Sequence, residues 1–346
     1  MKLNARFRTI ILGACTLLLL GAGATVQAAD ASPTTAPAAA PAASVAGTSA
    51  GPLKLAQAGP HNAAPVWRDA RQGSAGITTI KGAESGVLIQ TEGNAWRQWR
   101  NGPVTILGGL MLLGVAGSIL LFHAWKGMLR LSSKPTGRKV QRFTTSERLI
   151  HNVVAVSFVL LGIGGVLMLF GKHVAVPFLG HTVFAFLMQI LKPVHNFIGL
   201  VFFVALLAMI LMWAKDNVWD NIDAEWIRRA GGLIDRSHVP SGRFNFGEKT
   251  WFWFGVTILG LAVSVSGILL DFPSVLELRS NLVVANLIHA IGALLMIMLA
   301  LGHIYMGTIG VEGALQSMKT GEVDEAWAQE HHEAWFNQVT AKNKRA

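Results

Sequence analysis

The chain has 346 residues, 52% of them hydrophobic and only 14% charged, a composition that excludes an ordinary soluble globular domain and points to the bilayer. Its formal net charge of +10 would raise the question of nucleic acid in a soluble protein, but the cations gather in two loops between apolar runs and so report membrane topology. One cysteine, Cys15, excludes a disulfide framework, a zinc–thiolate site or an iron–sulfur cluster held by this chain alone.

Residues 1–29 carry Lys2, Arg6 and Arg8, then an apolar core, then Val26-Gln27-Ala28 before Ala29, the pattern of a cleaved signal peptide. A lipoprotein reading at Leu12-Gly13-Ala14-Cys15 would cut that apolar core in half. Cys15 leaves with the leader. Residues 30–65 are an Ala/Pro-rich linker whose composition buries too little apolar surface to order itself. From 66 to 102 short apolar runs such as Val87-Leu88-Ile89 alternate with glycines and with Trp67, Trp96 and Trp99, which predicts a small extended, exported segment that packs against a partner.

Five apolar runs follow, 103–125, 149–170, 194–214, 250–271 and 282–309, each long enough to cross about 30 Å of hydrocarbon. In lipid the backbone must satisfy itself, so the expected fold is an all-α membrane protein. It comprises a first transmembrane helix at 103–125, a four-helix core at 149–309 and a tail at 310–346. Trp96, Trp99, Trp125, Trp213, Trp219, Trp251 and Trp253 stand at the ends of the runs, as headgroup anchors do. The segment 126–148 carries Lys126, Arg130, Lys134, Arg138, Lys139, Arg142 and Arg148, and 215–249 carries Lys215, Arg228, Arg229, Arg236, Arg243 and Lys249. The alternate loops, 171–193 and 272–281, hold only Lys172, Lys192 and Arg279. The basic loops and the tail are therefore expected in the cytoplasm and the mature N-terminus outside a bacterial inner membrane.

Four histidines lie in or at the edge of the apolar runs. His289 and His303 are fourteen positions apart, a rise of about 21 Å and almost four helical turns, so both face one side near opposite membrane surfaces. His151 opens the second run at the inner side and His195 the third at the outer side. Depth pairs His151 with His303 and His195 with His289. Each pair suits the two axial positions of one haem iron, a closed coordination that favours electron transfer over oxygen chemistry. Gly162, Gly164, Gly165, Gly199 and Gly292 either admit a flat macrocycle or serve close helix packing. His123, His173, His181, His331 and His332 are expected to be solvated or interfacial, and His61 and His238 belong to polar segments.

The chain resembles the cytochrome b (gamma) subunit of membrane-bound formate dehydrogenase, in the long form with an exported N-terminal extension. The likeness rests on Lys192-Pro193-Val194-His195-Asn196-Phe197-Ile198-Gly199, on Arg243 to Lys249 with Trp253, on Asn286-Leu287-Ile288-His289-Ala290, on Gly302-His303-Ile304-Tyr305-Met306, and on the tail from Gly313 to Trp335. It implies two haem b groups in the four-helix core, with His195 and His289 as ligands of the outer haem and His151 and His303 of the inner one. It also implies a quinone acceptor near the inner haem, contacted by Asn245, Gly247 and Glu248 with His303 adjoining, although many relatives have glutamine where Glu248 stands. Asn245 can donate a hydrogen bond, Gly247 presents an open backbone N–H and Glu248 can deliver protons; equally, Phe244 to Gly247 can simply cap the fourth core helix. The implied partners are an iron–sulfur (beta) subunit and a molybdenum or tungsten catalytic (alpha) subunit. This chain itself would not oxidise formate. For the haem propionates only depth speaks, and it suggests Arg148 and Lys192. The alternatives are the cytochrome b of a nickel–iron hydrogenase or thiosulfate reductase complex, and a haem-free anchor or transporter whose histidines relay protons.

Overall fold

The structure, a computed structural model, describes Ala64 and residues 92–232, 238–276 and 278–343. The expected signal peptide, the linker apart from Ala64, and the extended part of the exported segment at 66–91 lie outside the described residues. In chain order the elements are α1 Glu92–Lys126, β1 Lys139–Gln141, α2 Thr145–Val174, α3 Val176–Trp213, α4 Asn221–Arg228, α5 Phe246–Asp271, α6 Arg279–Gly310, α7 Ala314–Thr320, β2 Glu322–Asp324, α8 Glu325–His331 and α9 Glu333–Asn343. Among the described residues five helices, α1, α2, α3, α5 and α6, are long and apolar enough to span a membrane. Residues 127–144, 214–232 and 238–245 and the tail to Asn343 meet at one end of the bundle, the capped end, and the short connections near 175 and 272–276 lie at the other, the open end.

Side-chain caps explain where two helices begin. Thr144 Oγ1 accepts from the Glu147 N–H at 3.3 Å while Glu147 Oε2 accepts from the Thr144 N–H at 2.8 Å. The same reciprocal box opens α5, with Asn245 Oδ1 accepting from the Glu248 N–H at 3.0 Å and Glu248 Oε2 accepting from the Asn245 N–H at 2.9 Å. The capping role of this loop is thus real.

Two expectations about extent are corrected. Residues 92–101 are helical and join α1 across a kink at non-helical Gly102, because the polar Glu92–Trp99 stretch can extend an apolar helix beyond the bilayer core. Trp96 and Trp99 therefore sit on the helix. The segment 171–193, expected as a loop, is helical except for the turn at Ala175 between α2 and α3 and a break at Gly180, whose φ of 72° no β-carbon tolerates well. Its run from Val183 to Leu191 is apolar enough to continue α3, and Pro193 lies within that helix. Three stretches of π-helix interrupt the spans, Arg100–Val104, Trp251–Leu259 and Met306–Gly310; such irregularities collect at functional sites.

The main core joins Phe202, Leu206, Met209 and Trp213 of α3 to Val154 of α2, Phe252 and Val256 of α5 and Met296 of α6. Val104 of α1 packs with Leu294 and Met298 of α6 in a second cluster. Gly108 permits that approach, since a β-carbon there would collide with the Leu294 side chain. Outward faces are apolar, with Leu113, Leu121, Val204 and Leu211 exposed, as lipid requires rather than water. At the capped end β1 and β2 pair antiparallel, Val140 opposite Val323. Val323, Trp327, Ala328 and Trp335 then form a small core of their own, so the tail is a folded cap.

Candidate functional site

Helical rise and packing bring the histidines together in twos. The rings of His195 on α3 and His289 on α6 have centroids 6.1 Å apart, inclined at 72°. Those of His151 on α2 and His303 on α6 are 6.3 Å apart at 62°. An imidazole nitrogen binds a transition metal at about 2 Å and the ring centre lies about 1 Å behind it, so two rings on opposite sides of one iron are roughly 6 Å apart. Both spacings suit an iron between the rings. Among the described residues no group of three or more His, Cys, Asp or Glu is placed to hold a bare metal ion.

The His195–His289 pair, the one expected on the outer side, lies near the open end and faces a cavity of about 300 Å³. His289 Nδ1 donates to the Val263 carbonyl at 2.9 Å, which fixes the ring and leaves Nε2 free, the arrangement that usually supports a metal-bound imidazole. Gly267 makes room for it: a β-carbon there would stand 3.0 Å from His289 Cε1. One at Gly164 would stand 3.4 Å from His195 Nδ1, and one at Gly165 3.7 Å from Cε1. His195 Nδ1 is itself buried without a hydrogen-bond partner, an orphan that an aromatic hydrocarbon wall would not explain. Depth in the cavity is apolar, with Phe158, Phe202 and Met296, whereas Arg100, Lys192, Asp271 and Asn286 add polar groups to its lining. An amphipathic planar ligand fits these residues.

At the inner pair, Trp251 stacks on His303 with centroids 5.2 Å apart and planes 17° from parallel, while Trp213 lies 6.3 Å from His151. His151 Nδ1 is likewise buried without a partner. Trp251 begins the π-helical stretch of α5, one turn beyond Gly247 and Glu248. The loop that opens α5 is thereby tied to the inner pair.

That loop is held by charge. Arg142, its side chain only 4% exposed, donates through Nη2 to Glu248 Oε1 at 3.0 Å and to the Arg243 carbonyl at 2.9 Å. Its guanidinium also lies over Phe143, Phe244 and Trp327. Arg243 in turn donates to Glu147 Oε1 at 2.7 Å and Asp216 Oδ2 at 2.5 Å, and Trp213 Nε1 donates to Glu147 Oε1 at 2.9 Å. Lys249 pairs with Asp220 and Asp223. A β-carbon on Gly247 would stand 3.1 Å from Trp226 and 3.2 Å from Asn245 Oδ1, so this glycine serves packing as well as access.

The tail histidines depart from expectation. His332 is fully buried; its Nδ1 donates to the Gly242 carbonyl at 2.8 Å and its Nε2 lies 3.9 Å from Glu248 Oε2. Burial pushes its pKa down to about 3, with the Arg142 charge adding to the effect. His331 is also lowered by burial, and its Nε2 has no hydrogen-bond partner. These two are not solvated because α8 and α9 fold over the loop and take them inside. His123 meets Tyr305, with Nδ1 3.2 Å from the hydroxyl, and His238 pairs with Glu333 at 2.9 Å; His173 and His181 are exposed. Of the two cations assigned by depth to the propionates, Lys192 lines the outer cavity, while Arg148 donates to the Lys319 carbonyl at 2.7 Å. Arg100 has no role assigned from the sequence, and Arg142, Trp251 and His332 read there only as a loop charge, a headgroup anchor and a solvated or interfacial histidine. Only the stacking tryptophan lies close enough to a marked loop to have been suspected.

Comparison with known proteins follows the same segment of chain. A model of the prokaryotic cytochrome b561 family matches residues 142–321. The formate dehydrogenase cytochrome b556(fdo) subunit of Escherichia coli K12 is 29% identical over 209 residues, 58% of this chain and 93% of the relative. The nitrate-inducible formate dehydrogenase cytochrome b556(Fdn) subunit of the same organism is 27% identical over 199 residues, 56% of this chain and 88% of the relative. A formate dehydrogenase cytochrome b556 subunit of Haemophilus influenzae is 26% identical over 212 residues, 58% of this chain and 83% of the relative.

Proposed function

The chain belongs to the prokaryotic cytochrome b561 family, and from that premise we propose that it is the membrane-anchoring, electron-transferring subunit of a respiratory formate dehydrogenase. The observation that carries the proposal is the pair of histidine couples, 6.1 and 6.3 Å between ring centres, set at two depths by α6, with relatives named as formate dehydrogenase cytochrome b556 subunits. His195 and His289 would hold one haem b and His151 and His303 the other. Two b haems so held supply one-electron carriers at two levels of the bilayer. Val263 orients His289, and Trp251 orients His303 by stacking. The apolar wall of the outer cavity excludes water from the ligands.

Quinone is the proposed acceptor, at the capped end, next to Asn245, Gly247 and Glu248. Its reduction takes protons as well as electrons, and Glu248 stands between the start of α5 and the buried His332 of the tail. Arg142 and the Asn245 N–H hold that carboxylate in place. The basic loops 126–148 and 215–249 make the capped end cytoplasmic in a bacterial inner membrane, with the exported linker and segment up to residue 102 on the other side. Formate oxidation then belongs to a separate molybdenum or tungsten subunit, and an iron–sulfur subunit delivers electrons to the outer pair. This chain has no cysteine beyond Cys15 with which to do either.

The test is to purify the chain with its partners from membranes and follow formate-dependent quinone reduction. His289→Ala is expected to abolish it while formate oxidation by an artificial acceptor continues. A nickel-containing partner in place of the formate-oxidising subunit, or quinone reduction unaffected by His289→Ala, would overturn the proposal.

A further inference from the structure

We propose that Arg100 of α1 supplies the counter-charge for a carboxylate of the haem at the outer histidine pair, so that a helix lying before the family's matched segment completes that site. The inference rests on the two-haem reading given above. The family match begins at residue 142, which places all of α1, Glu92–Lys126, ahead of it. Yet Trp96 and Arg100 of this helix line the same cavity as His195 and His289. Packing holds the helix beyond the kink at Gly102 against α6, because Val104 is buried against Leu294 and Gly108 has no room for a β-carbon beside that leucine.

An arginine within a membrane-spanning segment is costly unless it faces a partner or a polar cavity. Arg100 is half-buried and its Nη2 donates to the Met168 carbonyl at 2.8 Å, one of five N–H donors that a guanidinium offers. Among the described residues no carboxylate lies within ion-pair distance of Arg100 or of Lys192, which lines the same cavity. Asp271 is the one acidic residue among those described in that lining. The site thus pairs an apolar interior with two cations that no carboxylate of the described chain neutralises. A planar group that is apolar across its ring and carries carboxylates on one edge complements both features. A guanidinium gives a carboxylate two parallel hydrogen bonds where an ammonium gives a point charge, so Arg100 is the stronger of the two anchors.

Redox titration of the purified complex tests this, with His289→Ala identifying which haem is the outer one. A carboxylate left without its cation favours the oxidised iron. Arg100→Gln is therefore expected to lower the midpoint potential of the outer haem and speed its loss into detergent, with the inner haem unchanged and Arg100→Lys restoring part of the difference. Arg97→Gln, at an exposed arginine on the same helix, is expected to change neither haem. A second measurement needs no substitution at Arg100. Phenylglyoxal labelling read by peptide mass should spare Arg100 in the two-haem chain and modify it in the His289→Ala chain, with Arg97 labelled in both. Identical potentials and haem retention in Arg100→Gln, or Arg100 freely labelled while both haems are bound, would overturn the assignment. A wild-type chain without two haems would instead sink the reading beneath it.

Discussion

Arg142→Met removes the guanidinium at the centre of the cap while keeping the length of the side chain. The Glu248 hydrogen bonds count at the lower end, about 1.5 kcal/mol, because that side chain is 33% exposed. The contacts with Phe143, Phe244 and Trp327 add about 0.5 kcal/mol each. The junction of the 142–144 segment with the start of α5 should therefore lose about 3 kcal/mol, or about a hundredfold in its local opening equilibrium. Hydrogen exchange read by mass spectrometry on the purified complex measures this. Amides of Phe246–Thr250 should exchange about a hundred times faster, with the middle of α2 and of α3 unchanged. Exchange in that segment within about threefold of wild type would refute the view that Arg142 holds the start of α5 in place.

Acid should loosen the same cap. His332 is neutral in the fold and its pKa is lowered to about 3 from an ordinary value near 6.5. The unfolded cap therefore binds more protons between those two values, and the stability from neutral His332 is complete above about pH 6.5 and is lost as pH falls toward 3. At pH 5 the loss is about 2 kcal/mol, seen as faster tail exchange once the intrinsic rate is corrected; a tail equally protected at pH 5 and pH 8 would contradict it. At the open end, Gly267→Val sets a branched side chain against the His289 ring, 3.0 Å from the β-carbon position, at a cost of about 1–3 kcal/mol. Reduced-minus-oxidised spectra should show the outer haem diminished and the inner one intact, and equal loss of both would count against independent sites.

The spans were legible because twenty or so apolar residues can do little else in a chain. The helix depth of each histidine followed from the rise per residue, and the structure brings the same residues together, His195 with His289 and His151 with His303. Helix ends were less legible. The polar first turns of α1 carry no hydropathy signal, and the break at Gly180 made an apolar continuation of α3 look like a loop. The boxes at Thr144 and Asn245 have a readable three-residue spacing. The cap network has none: Arg142 meets Glu248 across 106 positions and Gly242 meets His332 across 90, so no local pattern announces it. Arg100 was hidden for a related reason, since it joins the cavity only through the docking of α1 on α6.

The most direct measurement of the central claim is haem extraction and quantification per chain on the purified complex, with reduced-minus-oxidised spectra of wild type, His289→Ala and His151→Ala. Two low-spin b haems are expected in the wild type, with the loss of a different one in each variant. A colourless chain, or one that keeps both haems after either substitution, would contradict it.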